Sequence, residues 1–95
     1  MIAAGCDRAV LVGHNAWFDL AFVLAAAKRS GLEHPFHSFT SLDTATLSAV
    51  ALGETVLAKA LRAASIPFDV RLAHSAIYDA EKTAELFCWI TNKIA

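Results

Sequence analysis

Ninety-five residues bound this chain to one domain or less. Its hydrophobic content is 57% against 18% charged, above the roughly 45–50% apolar usual for a free-standing domain. The excess, much of it alanine, suggests apolar surface meant for something outside this chain, and a formal net charge of −1 excludes a global basic field of the kind that advertises nucleic-acid binding.

Met1–Ala4 reads as the last turn of a helix, ended by Gly5 in a left-handed conformation. Ala9–Val12 is a short apolar run expected to form a buried parallel strand. Gly13-His14-Asn15 then turns the chain, and Asn15 is placed to cap a helix from Ala16 to about Arg29. Phe18, Ala21, Phe22 and Ala25 recur at three and four and predict its buried face. Ser30-Gly31 and Pro35 stop the helix, and Lys28-Arg29 complement the dipole at its end. The segment Phe36–Leu42 alternates weakly, and Thr40–Asp43 reads as a second strand. Thr44–Leu52 is helical up to Gly53, and Thr55 is placed to cap a short helix over Val56–Ala64. Phe68–Ala73 reads as loop. The final helix opens near Ser75 and runs to about Lys93, with Ile77, Ala80, Ala84, Phe87 and Ile90 at helical spacing. Two short strands among about four helices predict an α/β fold with a parallel pair, too few strands for a stable sheet on their own.

Cys6 and Cys88 have no CxxC partner, as in a cytoplasmic protein with reduced thiols. Asp19 and Lys28 interrupt the longest apolar stretches, so no membrane-spanning segment is expected.

The chemistry concentrates in two runs. LVGHNAWFD places Asp19 in the first turn of a helix, and AHSAIYDAEKT places His74 five residues before Asp79. Five residues on one continuous helix turn through about 140°, so the two side chains would point apart. They converge only if His74 lies in the loop before a helix that carries Asp79 in its first turns. A loop histidine beside a fixed carboxylate suits a general base next to a metal ligand. Each residue also has a plainer reading: Asp19 as an acid favoured by the helix dipole, His74 as an exposed loop histidine, Phe18 and Phe39 as core residues, and Asn15 as a cap.

GCDRAVLVGHNAWFD, PFHSFTSLDTATLSAVALGETVLAKAL and AHSAIYDAEKTAELFCWITNK, met in that order, resemble the ribonuclease T branch of the DEDDh exonucleases over almost the whole chain. The wider family includes the proofreading subunit of a bacterial DNA polymerase. The resemblance implies a partial ribonuclease H-like fold and a 3′-to-5′ exonuclease trimming single-stranded 3′ ends of tRNA and other small stable RNAs. It further implies acceptance of single-stranded DNA, two Mg²⁺ ions in the complete site, and a cytoplasmic homodimer. On this resemblance Asp19 and Asp79 match metal ligands and His74 the base. Phe18 and Phe39 match rings that stack on terminal bases. Asn15 is open to a substrate contact or a cap. Arg8 matches a basic position that grips RNA from the partner subunit. A second basic position of that patch is here Glu33 and His34, a departure.

The larger departure is the family's Asp-x-Glu on its first strand. The only Asp-x-Glu is Asp79-Ala80-Glu81, which already belongs to the histidine motif. Residues 1–95 are therefore expected to be the C-terminal part of a single exonuclease domain, with the N-terminal strands missing and the isolated chain inactive. Two alternatives stand beside the RNA reading: a proofreading-type exonuclease, and a truncated fragment without catalysis.

Overall fold

A computed structural model describes residues 8–73 and 75–94. The chain runs β1 (Ala9–Gly13), α1 (Ala16–Ser30), β2 (Phe36–Asp43), α2 (Thr44–Leu52), α3 (Leu57–Ala63), a 3-10 turn (Val70–Leu72) and α4 (Ala76–Ile94). β1 and β2 pair in parallel, with α1 as the crossover that a parallel pair requires. This is the mixed α/β architecture of a partial ribonuclease H-like exonuclease fold. The expected helix at Met1–Ala4 and its stop at Gly5 lie outside the described residues.

β2 begins at Phe36, four residues before the strand expected from sequence. The cause is a bulge. Ala9 pairs with Phe36 but Leu11 pairs with Ser41, so two steps along β1 are matched by five along β2. His37 Nδ1 accepts from the backbone N–H groups of Phe39 and Thr40 (3.4 and 3.2 Å) and fastens the bulge. From Leu11 onward the register is regular and brings Gly13 opposite Asp43, at the carboxyl ends of both strands.

The apolar core sits among the helices. Leu61, Leu86 and Ile90 are sealed from solvent with Ala60 and Ala64, and Leu47, Leu52, Leu57, Ile66, Phe68 and Trp89 pack around them. Helix endings follow the sequence closely. Gly31 and Gly53 both adopt the left-handed conformation (φ 65° and 72°), and their N–H groups return to carbonyls of the last turns.

Several local expectations are overturned. On α1 the buried residues are Ala16 and Leu20, whereas Phe18 and Phe22 are 60% and 65% exposed and Ala21 and Ala25 also face outward. Residues 16–27 are apolar at every position except Asp19, so periodicity alone could not choose the face. On α4 the buried stripe is Thr83, Leu86 and Ile90. Ile77, Ala80 and Ala84 are exposed, because the stripe passes through a threonine that an apolar count skips. Asn15 does not cap α1 with its side chain, and Thr55 does not cap α3, which starts at Leu57. A 3-10 turn interrupts the expected loop between Phe68 and Ala73.

Candidate active site

Asp19 stands in the first turn of α1, where the helix dipole favours a carboxylate. Its side chain leans over the end of β1: a Cβ placed on Gly13 would lie 2.9 Å from Asp19 Oδ2. Glycine at position 13 is what lets that carboxylate lie against the strand. Val12, Gly13, His14 and Asp19 form one wall of a cleft of about 270 Å³, and Ala80, Thr83 and Ala84 of α4 form the other. Two alanines at the spacing of one helical turn keep α4 low on that side.

Asp79 lies in the first turn of α4, one residue before Ala80 of the cleft wall. Its backbone N–H donates to Ser75 O at 2.9 Å. Oδ1 of its carboxylate is buried and takes no hydrogen bond from any described residue. A desolvated anionic oxygen with no partner is costly, and a bound cation is the partner such an oxygen suits. The Asp79 oxygen is thus open to a hard cation, while Asp19 lines the cleft whose other wall begins at the next residue, Ala80. Among the described residues, however, no three His, Cys, Asp or Glu side chains gather closely enough to hold a metal ion. Hard divalent ions take about six or more oxygen ligands, so two carboxylates make an incomplete site. His74 lies outside the described residues.

The turn between β1 and α1 is held by polar groups. Asp43, the last residue of β2, accepts at Oδ1 from the N–H of Asn15 (2.6 Å), Ala16 (3.2 Å) and Ala45 (3.2 Å). At Oδ2 it accepts from the N–H of Thr46 (3.3 Å) and from Thr46 Oγ1 (2.6 Å). One carboxylate thus caps the starts of both α1 and α2. Burial pushes its pKa up. The hydrogen bonds from the Thr46 side chain and from the backbone of Ala16, Asn15 and Ala45 outweigh that and hold it below its ordinary value of 3.8. Asn15 sits at φ 62°, a conformation asparagine tolerates better than most residues, and this aims its N–H at Asp43.

His14 adds a second tie. Its Nε2 donates to the Thr55 carbonyl, and its Nδ1 lies 2.9 Å from Thr44 Oγ1. That hydroxyl also reaches Gly13 O at 3.2 Å. His14 lines the cleft, but both of its nitrogens are engaged in joining the turn to α2 and to the loop before α3.

The remaining candidates are not among the residues that line the cleft. Phe18 meets Trp17 edge-on, with centroids 5.9 Å apart. Phe39 projects from the bulge, 85% exposed, with the His37 ring edge-on at 4.5 Å. Neither phenylalanine is in the core. Arg8 is exposed immediately before β1, and Asn15 is exposed in the turn.

The family model described as an exonuclease, RNase T, matches residues 2–87. This chain belongs to that exonuclease family. Two proteins named Ribonuclease T, from Vibrio vulnificus strains YJ016 and CMCP6, are each 62% identical to it over 92 residues. Those 92 residues are 96% of this chain but 42% of either relative, so the chain spans about two-fifths of their length.

Within this exonuclease portion, sequence reasoning missed Asp43 and His14 as builders of the site, and His37 as the fastener of the bulge in β2. For Asp43 the Leu-Asp-Thr run ahead of a helix is a readable cap signal for α2. Its hold on α1 reaches across 27 and 28 residues and has no local signature. His14 and His37 bond largely to backbone or to distant side chains, which no spacing rule reveals.

Proposed function

We propose that this chain is the C-terminal part of a 3′-to-5′ exonuclease domain that removes nucleotides singly from single-stranded 3′ ends of RNA, tRNA and other small stable RNAs among them. The observation that carries the reading is the cleft between Asp19 and α4, together with a buried carboxylate oxygen of Asp79, the residue before Ala80 of its wall, that has no described hydrogen-bond partner. The names and identity of the Vibrio relatives support RNA as the substrate class.

In this mechanism Asp19 and Asp79 would hold divalent cations, of the Mg²⁺ kind, together with carboxylates from outside this chain. Bound there, such ions would supply a lowered water pKa and electrostatic stabilisation of the departing oxygen. His74 takes the proton of the attacking water as its oxygen bonds to the terminal phosphorus. The bond from that phosphorus to the 3′ oxygen of the preceding nucleotide breaks, and a nucleoside 5′-monophosphate leaves. A histidine with an unperturbed pKa of about 6.5 is suited to this exchange near neutral pH. Phe18 and Phe39, both largely exposed, stack on the terminal bases, a contact that is worth about 1–3 kcal/mol per base and tolerates different bases. Asn15 and Arg8 contact the substrate strand, Arg8 from the partner subunit of a homodimer.

Among the described residues the ligand set is incomplete, and we expect the 95-residue chain by itself to leave a labelled single-stranded oligonucleotide intact. In a protein extended to the length of its relatives, His74→Ala is expected to slow 3′-end trimming by about 10²–10⁴, the usual contribution of a general base. Trimming that survives this substitution at full rate would remove His74 from the mechanism. His74-dependent hydrolysis by the short chain alone would overturn the claim that its site is incomplete.

A further inference from the structure

Asp43 could be taken for one of the missing cation ligands, since it is an acid at the carboxyl end of β2, level with Gly13. Its hydrogen bonds exclude this. Five donors already occupy its two oxygens, three on Oδ1 and two on Oδ2. An ion pair with a metal would have to displace them, and with them both helix starts.

We propose instead that Asp43 is the positioning residue of this site: by binding the N–H groups of Asn15 and Ala16, its carboxylate fixes where Asp19 stands over Gly13. The inference rests on the reading of Asp19 as a cation ligand. The first turn of α1 has little else to hold it. Trp17 and Phe18 are 65% and 60% exposed, and the cap residue Asn15 makes no side-chain cap bond. Apolar packing at this end of α1 is limited to Ala16 and Leu20. Asp19 is three residues beyond the Ala16 N–H that Asp43 grips, within the same helical turn, so a shift at position 16 carries the carboxylate with it. On the other side Gly13 carries no Cβ, which would come within 2.9 Å of Asp19 Oδ2, so the carboxylate can lie close to the strand. The same Asp43 oxygen binds Ala45, which ties the placement of Asp19 to the start of α2. Thr44, through Gly13 O and His14, reinforces that tie.

The test is made by NMR on the metal-free 95-residue chain, comparing wild type, Asp43→Asn and Thr46→Val. The side-chain carboxyl ¹³C resonance of Asp19 reports its surroundings, and amide exchange at Asn15 and Ala16 reports the cap. Asp43→Asn is expected to move the Asp19 carboxyl resonance and to speed exchange at Asn15 and Ala16 by about tenfold or more, the equivalent of one charge-assisted hydrogen bond. Thr46→Val removes only a bond on the α2 side and is expected to leave Asp19 and both amides unchanged. An Asp19 resonance indifferent to Asp43→Asn overturns the proposal, as does an equal shift in Thr46→Val, which would signal general loosening. Should Asp43→Asn fail to fold, the wild-type chain still decides: an Asn15 amide exchanging as fast as an open peptide shows that the grip is absent. The cation reading is tested separately with Mn²⁺. Paramagnetic broadening at Gly13 and Ala80 that persists in Asp19→Asn would refute the role of Asp19 as a ligand without touching the metal-free result.

Discussion

At one end of the molecule Leu61, Leu86 and Ile90 are closed off from water between α3 and α4. At the other, Trp17, Phe18 and Phe22 of α1 stand mostly in solvent, and the turn that leads into that helix is held by Asp43 and His14. The first region is organised by burial, which is non-directional and rewards area. The second is organised by hydrogen bonds, which are individually small in net stability but fix direction. The acids of the cleft sit where these two systems meet, Asp19 on the polar side and Asp79 at the start of the helix that runs into the core. A site that must hold carboxylates at defined positions gains more from direction than from area.

The largest effect that would sharpen this contrast is expected from Leu61→Ala. Leu61 is fully buried, and emptying such a position costs about 2–5 kcal/mol, a large share of the stability of a domain this size. Urea unfolding followed by far-ultraviolet circular dichroism should show the midpoint fall sharply. A loss below about 1 kcal/mol would show that the helical core is not where stability resides, and the distinction between the two ends would collapse.

Asp43→Ala comes next, and it acts on the polar end. Removing a cap costs about 0.5–2 kcal/mol, and this side chain caps two helices. The sign with pH follows from its depressed pKa. Its stabilising contribution is present in full above the unfolded value of 3.8 and is lost as pH falls through the lower, folded value. Acid titration of the wild type should therefore lose stability progressively below about pH 4, and Asp43→Asn should flatten that part of the profile. An identical acid profile in wild type and Asp43→Asn would mean that the carboxylate contributes nothing as an ion.

The same division decides how much could be read from the sequence. α2 was legible at both ends because Asp43-Thr44 and Gly53 are local start and stop signals, and Gly31 marked the end of α1 equally well. The first-turn positions of Asp19 and Asp79 were legible from the helix starts, while their matching to metal ligands came from the family resemblance and not from position. What escaped was the hold of Asp43 on α1, which depends on a distant partner, and a local bond that carries no sequence signal. The bulge in β2 exists because the His37 ring binds backbone two and three residues on, which weak alternation over Phe36–Leu42 could not announce. The buried face of α1 escaped for the opposite reason, an excess of signal. With apolar side chains nearly all round, the choice fell to the cap at Asp43 and the packing of Ala16 and Leu20. On α4 one polar residue, Thr83, carried the stripe past an apolar count.

The smallest effect is expected at Phe22. Sequence periodicity assigns it to the core, but it is 65% exposed, so Phe22→Ser should change unfolding free energy by no more than about 0.5 kcal/mol, as is usual for surface substitutions. Its value lies in what else it should change. Trp17, Phe18 and Phe22 place three large rings in water on one short helix, and contiguous exposed apolar surface promotes association. Replacing one ring with serine should lower the association state of the chain, read by analytical ultracentrifugation across a concentration series, while the melting curve stays in place. A substantial loss of stability instead would return Phe22 to the core and restore the buried face that periodicity expects. The outcome thus separates a helix held by its outer rings from one held by the carboxylate at its start.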